Sequence, residues 1–75
     1  MKRAAEIRQM TNAEMEQAIH DSKEELFNLR FQWESGQLED YTRIRQLKKE
    51  LARLLTIQHE RALAAELIRE EGENA

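Results

Sequence analysis

The chain has 75 residues, of which 36% are charged, with no cysteine, no proline, two glycines and a formal net charge of −3. This composition is typical of long helices and excludes a disulfide framework or a thiolate metal site. No apolar run approaches ~18 residues and no signal peptide is recognisable, so we expect a soluble intracellular chain.

The first predicted element is a short helical turn over Ala4–Met10. Thr11 then has the properties of a helix N-cap, because Glu14 follows at the spacing of a capping box. Met10 and Met15 stand at the two positions of a hydrophobic staple across this cap. The pattern predicts that a long helix begins at about residue 12.

Two apolar seams predict an antiparallel helical hairpin. In each stretch, the seam residues repeat at intervals of three and four, which is the a/d spacing of packed helices. Folding the chain at residue 38 pairs the two seams, since the numbers of facing residues sum to 76 or 77, as an antiparallel pair requires. The first seam is Met15, Ile19, Ser22, Leu26, Leu29 and Trp33; the second is Ile44, Leu47, Leu51, Leu54, Gln58 and Ala62.

Gly36 predicts the point of reversal, because glycine ends a helix in the left-handed conformation at little steric cost. We expect helices at about 12–35 and 40–70, a turn at 36–39, and Asp40 as the second N-cap. Residues 1–70 would form one all-α, coiled-coil-like hairpin domain, and residues 71–75 an acidic flexible tail. Two helices alone bury little surface, so we expect a partner to add stability.

The second helix carries a basic segment within an otherwise acidic protein. Residues 43–53 hold five cations against Glu50, whereas residues 10–42 hold two cations against eight acids. Arg45, Lys49 and Arg53 lie opposite the seam within ~12 Å, with Lys48 on its flank. This spacing suits successive phosphates of a nucleic acid. The alternative interpretation is an ordinary solvated helix face.

Phe27 and Phe31 form a second apolar stripe on the first helix, about 100° from the seam, with Arg30 between them. They favour either a widened core face or a docking patch for nucleic acid or protein. Trp33, near the turn, is expected in the core.

No pattern of a catalytic, metal or cofactor site is present. His20 and His59 lack metal-ligand spacing and are expected at the surface. A nucleophile–base set, a glycine-rich phosphate loop and a dinucleotide fingerprint are all missing from the sequence. We therefore expect a non-enzyme with no catalytic residues, no metal and no cofactor.

Several motifs, in order and at matching spacing, resemble large-subunit ribosomal protein twenty-nine of bacteria over roughly residues 5–57. They are Glu6-Ile7-Arg8 before the capping threonine, Glu25-Leu26-Phe27-Asn28-Leu29-Arg30-Phe31-Gln32, Gly36-Gln37-Leu38, Arg43-Ile44-Arg45 and Lys48-Lys49-Glu50-Leu51-Ala52-Arg53.

The resemblance implies a cytoplasmic, ribosome-bound structural protein that supports translation. Its hairpin would lie on large-subunit ribosomal RNA near the polypeptide exit tunnel, beside ribosomal protein twenty-three and near nascent-chain chaperone or targeting factors. It implies neither membrane insertion nor a small-molecule substrate. The RNA-binding residues expected on this basis are Arg8, Phe27, Asn28, Arg30, Gln37, Arg43, Arg45, Lys48, Lys49 and Arg53.

Two departures from that family accompany the resemblance. Lysines stand at positions 48 and 49, where the family often has arginine, which keeps the charge but loses bidentate phosphate geometry. The chain is also acidic, whereas the family is usually basic. The alternative function is a protein–protein adaptor that dimerises into a four-helix bundle through Phe27, Phe31 and the seam.

Overall fold

The fold is a helical hairpin with a short additional helix at its open end. The computed structural model describes residues 3–74, with side chains described for residues 3–72. Helix α1 spans Ala4–Arg8, α2 spans Asn12–Glu34 and α3 spans Thr42–Asn74. The described chain measures 59 × 21 × 17 Å, and within it there is no strand. The predicted all-α hairpin and its N-terminal helical turn are confirmed.

Helix α2 begins at the predicted cap. The Thr11 hydroxyl accepts a 3.1 Å hydrogen bond from the main-chain amide of Glu14, which is one half of a capping box. In the other half of a capping box, the Glu14 carboxylate would accept from the main-chain amide of Thr11. Here the carboxylate accepts from the Thr11 hydroxyl instead, also at 3.1 Å. Met10 packs against the core cluster that contains Met15, as the staple predicts.

The reversal after α2 is a Schellman motif centred on Gly36, whose φ is +78°. The amide of Gly36 donates to the carbonyl of Trp33 at 3.2 Å, and the amide of Gln37 donates to the carbonyl of Gln32 at 2.8 Å. These two bonds satisfy carbonyls that the end of a helix would otherwise leave unpaired. The chain therefore reverses at the glycine that the sequence indicated.

Helix α3 begins two residues after the expected Asp40. The Asp40 carboxylate accepts from both the amide and the hydroxyl of Thr42, at 2.9 and 2.7 Å. This local turn holds Asp40 just outside the helix while its side chain still serves an unpaired amide of the first turn. At the other end α3 continues to Asn74, beyond the expected end near residue 70. The flexibility of residues 71–75 stays a prediction.

The seam between α2 and α3 forms the core. Half of the twelve predicted seam residues are buried, whereas Ala62 is exposed, and Ser22 is the one buried polar residue among those described. Trp33 departs from the prediction: it is 43% exposed, because no third element covers the closed end of the hairpin. The buried apolar residues of the two long helices are Met15, Ile19, Ile44, Leu47, Leu54 and Ile57.

At the open end α1, the predicted helical turn, packs against the hairpin, which the sequence did not predict. Ile7 is fully buried and packs in one cluster with Met15, Leu54 and Ile57. The seam therefore uses Ile57 at this level, whereas the expected Gln58 is only half-buried. Apolar surface on α1 covers a flank of the hairpin that would otherwise face water.

Arg61 fastens α1 to the two long helices. Its guanidinium donates to the carbonyls of Ile7, Arg8 and Met10 at 3.4, 2.9 and 2.8 Å, and to the side-chain oxygen of Asn12 at 3.0 Å. The carbonyls belong to the C-terminal end of α1 and the link that follows it, and that of Ile7 also accepts from the amide of Met10 at 3.1 Å. One α3 side chain thus fixes the position of α1 and the start of α2.

Candidate nucleic-acid interface

The cations of the predicted basic face are exposed on α3. At about 100° and 1.5 Å per residue, Arg45, Lys49 and Arg53 fall within about 80° of one another and about 12 Å along the axis. Lys48 is also exposed, on the neighbouring flank. Within residues 3–72, Lys49 and Arg53 make no hydrogen bond or ion pair. Their charge is therefore not neutralised by the part of the chain that the structure describes.

Tyr41 contacts two cations of the basic face, Arg45 and Lys48. The Arg45 guanidinium lies 5.6 Å from the centre of the Tyr41 ring, and the Lys48 ammonium lies at the same distance. Lys48 also donates to the Tyr41 hydroxyl at 3.1 Å. The Trp33 ring meets Tyr41 edge-on, with 5.1 Å between centroids. Cation–π contacts of this kind hold the cations in place while leaving their charge intact.

Arg43 has a different role from the other cations. Its guanidinium forms two hydrogen bonds with the Glu25 carboxylate across the hairpin, at 2.9 and 3.1 Å. Both side chains are about half exposed, so the pair contributes little to stability but does occupy the guanidinium. Arg43 consequently has fewer donors available for a phosphate than Arg45.

The Glu25–Arg43 pair also shows which sides of the two helices lie together. In an antiparallel pair, residues displaced from the seam in the same rotational sense share one flank. Helical spacing places Phe27, Arg30 and Phe31 on the flank opposite to Glu25. The same spacing places Lys48 there as well, again opposite to Arg43.

The two phenylalanines are not part of a widened core. Phe27 is 71% exposed and Phe31 is 64% exposed. Large rings are rarely left this open on a single monomer unless a partner covers them. With Arg30 beside them and Lys48 across the seam, they form an apolar area bordered by cations.

We refer below to Arg45, Lys48, Lys49 and Arg53, with Tyr41, as the basic surface. Three predicted site residues lie apart from it. Asn28 borders a shallow depression that is also lined by three carboxylates, those of Asp21, Glu24 and Glu25. Gln37 is exposed at the turn. Arg8 lies at the open end, where its guanidinium is 4.0 Å from the Glu60 carboxylate.

Asp40, at the start of α3, is the acid next to the basic surface. The hydroxyl and amide hydrogen bonds from Thr42 hold the pKa of this carboxyl below its usual range, and the charge of Arg45 adds to the effect. Asp40 therefore stays ionised at neutral pH beside Arg45.

The sequence interpretation missed Tyr41 and the bonding role of Arg61. A signal for Tyr41 exists: it stands four residues before Arg45 and seven before Lys48, which is one helical face. Arg61 gives no comparable signal, because its acceptors are carbonyls about fifty residues earlier in the chain.

The described part of the chain has neither a cluster of metal ligands nor a membrane-spanning helix. No three of its histidine and acidic side chains come together as ligands for one metal ion. None of the helices in this part combines the length and the apolar character needed to cross a bilayer.

Comparison with known proteins gives a consistent result. The family model described as ribosomal L29 protein matches residues 5–61. The large ribosomal subunit protein uL29 of Geobacillus stearothermophilus is 60% identical over 63 residues, covering 84% of this chain and 96% of that protein. The uL29 protein of Staphylococcus aureus strain JH9 is 54% identical over 61 residues, covering 81% of this chain and 88% of that protein. The hairpin up to Arg61 lies within the family match, and the last part of α3 lies beyond it.

Proposed function

The chain belongs to the ribosomal L29 protein family, and we propose that it is a structural constituent of the large ribosomal subunit that binds ribosomal RNA. The RNA would lie on the basic surface, with Arg30, Phe27 and Phe31 at its edge. The proposed role is structural, without catalysis or a cofactor, in keeping with the family.

One observation carries the RNA assignment: the four cations of the basic surface are exposed, and none of them forms an ion pair within the described residues. Glu50 is the one acid in residues 43–53, and helical spacing places it on the flank of Arg43, away from Lys48. Each cation that meets a phosphate releases condensed counterions, which favours binding to a polyanion. An overall negative charge does not prevent this, since contact depends on the local field.

The exposed rings give the surface a second means of contact. Unpaired RNA bases stack on aromatic side chains, and Phe27 and Phe31 offer two such rings one helical turn apart. Arg30 stands on the same flank to meet the adjoining phosphate. Of the remaining predicted residues, Asn28 and Gln37 are proposed as peripheral contacts.

The location within the subunit is proposed from the family resemblance. We place the hairpin near the polypeptide exit tunnel, beside ribosomal protein twenty-three, with nascent-chain chaperone or targeting factors as neighbours. Cross-linking of lysines in purified large subunits, followed by mass spectrometry, tests this location. Cross-links only to proteins remote from the tunnel would contradict it.

The RNA assignment is tested by charge reversal on the basic surface. Arg45→Glu with Lys49→Glu should weaken binding of the free protein to large-subunit ribosomal RNA and lower its occupancy in purified subunits. Arg69→Glu is the control, because it reverses an exposed cation of the same helix outside the family match. Unchanged occupancy of the double variant in subunits washed at high salt would overturn the assignment.

The exposure of Phe27 and Phe31 is the one observation that favours a second candidate, a homodimeric adaptor. The seam residues are already used within the monomer, so a dimer would have to form through these two rings. Sedimentation of the free protein separates the candidates. The adaptor predicts a dimer at micromolar concentration without RNA, whereas the ribosomal assignment predicts a monomer.

A further inference from the structure

The part of α3 that follows Arg61 extends beyond the rest of the hairpin. Arg61 contacts Asn12, the first residue of α2, and Ala62 and Ala65 border one depression with Asn12 and Met15. The nine residues from 66 to 74 therefore continue past the point where α2 begins, and at 1.5 Å per residue they span about 14 Å. Residues 62–74, called the extension below, are outside the family match, which ends at residue 61.

The extension has one apolar side, and within the described chain that side stays largely exposed. Leu63 and Leu67 are one helical turn apart, as are Ala64 and Ile68, so the four residues form one apolar stripe. Leu63 is 45% exposed, Leu67 59% and Ile68 71%. A repeating stripe of this kind is typical of a helix that packs against another element.

The charges around the stripe indicate which kind of molecule packs there. Residues 62–75 hold four glutamates and one arginine. Glu66 and Glu70 lie one turn apart and border the stripe on the side of Leu63 and Leu67. The phosphates of RNA and anionic lipid headgroups would both be repelled by this border.

A second copy of the chain is also a poor match. Pairing two identical stripes brings the acidic borders of the two copies into the same interface. Like charges placed together in an interface disfavour the complex. A complementary partner would instead place lysine or arginine beside its own apolar residues.

We propose that residues 62–72 form a docking helix for a cationic, amphipathic segment of another protein. The proposal rests on the proposed function in one respect: the large ribosomal subunit supplies the partner. The apolar stripe would provide burial, and Glu66 and Glu70 would pair with cations and exclude anionic partners.

Site-specific photo-cross-linking in cells, followed by purification of large subunits, tests the proposal. The probe is a benzoylphenylalanine residue placed at Leu67, within the stripe. The control has the same residue at Arg69, which helical spacing places about 160° from Leu67. Mass spectrometry then identifies the cross-linked peptide and measures how much of the chain is present in the subunits.

The expected result is a cross-link from position 67, and not from 69, to a protein segment in which lysine or arginine neighbours apolar residues. Glu66→Lys with Glu70→Lys should lower its yield at least about fivefold by removing the charge match. Glu24→Lys with Glu34→Lys applies the same change of charge to exposed positions of α2 away from the extension and should leave the yield unaltered.

Four results would overturn the proposal: a cross-link to RNA, a cross-link to a second copy, equal yields from positions 67 and 69, or no cross-link at normal occupancy. Failure of the proposed function is a separate result. In that case the unsubstituted chain would be absent from purified subunits, and the subunit-borne partner would be excluded with it.

Discussion

The guanidinium of Arg61 donates a 2.8 Å hydrogen bond to the main-chain carbonyl of Met10, fifty-one positions earlier in the chain. Together with the bonds to Ile7, Arg8 and Asn12, it connects all three helices. Two of these bonds, those to the carbonyls of Ile7 and Met10, are partly buried, so removal of the donor loses hydrogen bonds that water replaces only in part.

Arg61→Ala is therefore expected to lower the free energy of unfolding by about 2 kcal/mol. Thermal unfolding followed by circular dichroism measures the change. Arg69→Ala, on the exposed extension of the same helix, should change stability by less than about 0.5 kcal/mol. Equal effects of the two substitutions would show that the hydrogen bonds of Arg61 contribute nothing to stability.

Gly36 and Gly72 should respond in opposite directions to the same substitution. A Cβ at either position meets no atom within 4 Å, so the backbone conformation alone determines how the substitution changes stability. Gly36→Ala places a side chain at a φ of +78° and should cost about 1 kcal/mol. Gly72→Ala lies inside α3 and should be neutral or slightly stabilising, since alanine favours helix by up to about 1 kcal/mol. Unchanged thermal stability of Gly36→Ala would contradict the Schellman turn, and destabilisation by Gly72→Ala would contradict a helical Gly72.

Asp40 predicts a dependence of stability on pH. Its carboxyl pKa is lower in the folded chain than in the unfolded chain, so the folded state favours the ionised form. This contribution is present at neutral pH and is lost as the pH falls below about 4 and through the folded pKa. Asp40→Asn should flatten that part of the stability curve. NMR titration of the carboxyl carbon gives the pKa directly, and an upward shift would contradict the prediction.

The cations of the basic surface should differ from Arg43 in the salt dependence of RNA binding. Lys49→Ala and Arg53→Ala should each reduce the slope of log affinity against log salt by roughly one, because each removes one phosphate contact. Arg43→Ala should change the slope less, since its guanidinium is bound to Glu25. Filter binding to large-subunit ribosomal RNA over a range of salt concentrations measures the slopes. A larger change for Arg43 than for Lys49 is the contrary outcome.

The double variant Phe27→Ala with Phe31→Ala should distinguish an effect on RNA binding from an effect on folding stability. Both rings are mostly exposed, so their loss should alter stability by less than about 1 kcal/mol. It should nevertheless weaken RNA binding by about tenfold or more, as expected for the loss of one or two stacked bases. Leu47→Ala, in the buried seam, should instead lower stability by about 2–4 kcal/mol. Unaltered RNA affinity of the double variant would remove the rings from the interface.

The hairpin itself follows from the sequence because its determinants are local or periodic. Thr11 and Gly36 act within a few residues, and the two seams share one register around the turn. The Glu25–Arg43 ion pair and the hydrogen bonds of Arg61 could not be predicted in the same way. They depend on where long side chains meet after the helices have packed, and α1 reaches its place only by folding back on α3.

Trp33 illustrates a second limit of sequence patterns. Its spacing is that of a core residue, yet burial also needs a neighbour to cover it. At the closed end that neighbour is Tyr41, whose ring makes a single T-shaped contact with Trp33. The spacing of apolar residues predicts which way a side chain points. How far that side chain is buried depends also on how many helices surround it.

The short connection at Gly36 has a consequence for how rapidly the chain folds. Residues that meet beside this turn are separated by only a few positions, so closing the first loop costs little chain entropy. Pairing can then extend along the seam one helical turn at a time, and α1 joins at the end, when Arg61 reaches it. Helical topologies with mainly local contacts fold in microseconds to milliseconds. A newly synthesised chain would then take its shape well before it encountered the RNA proposed as its partner.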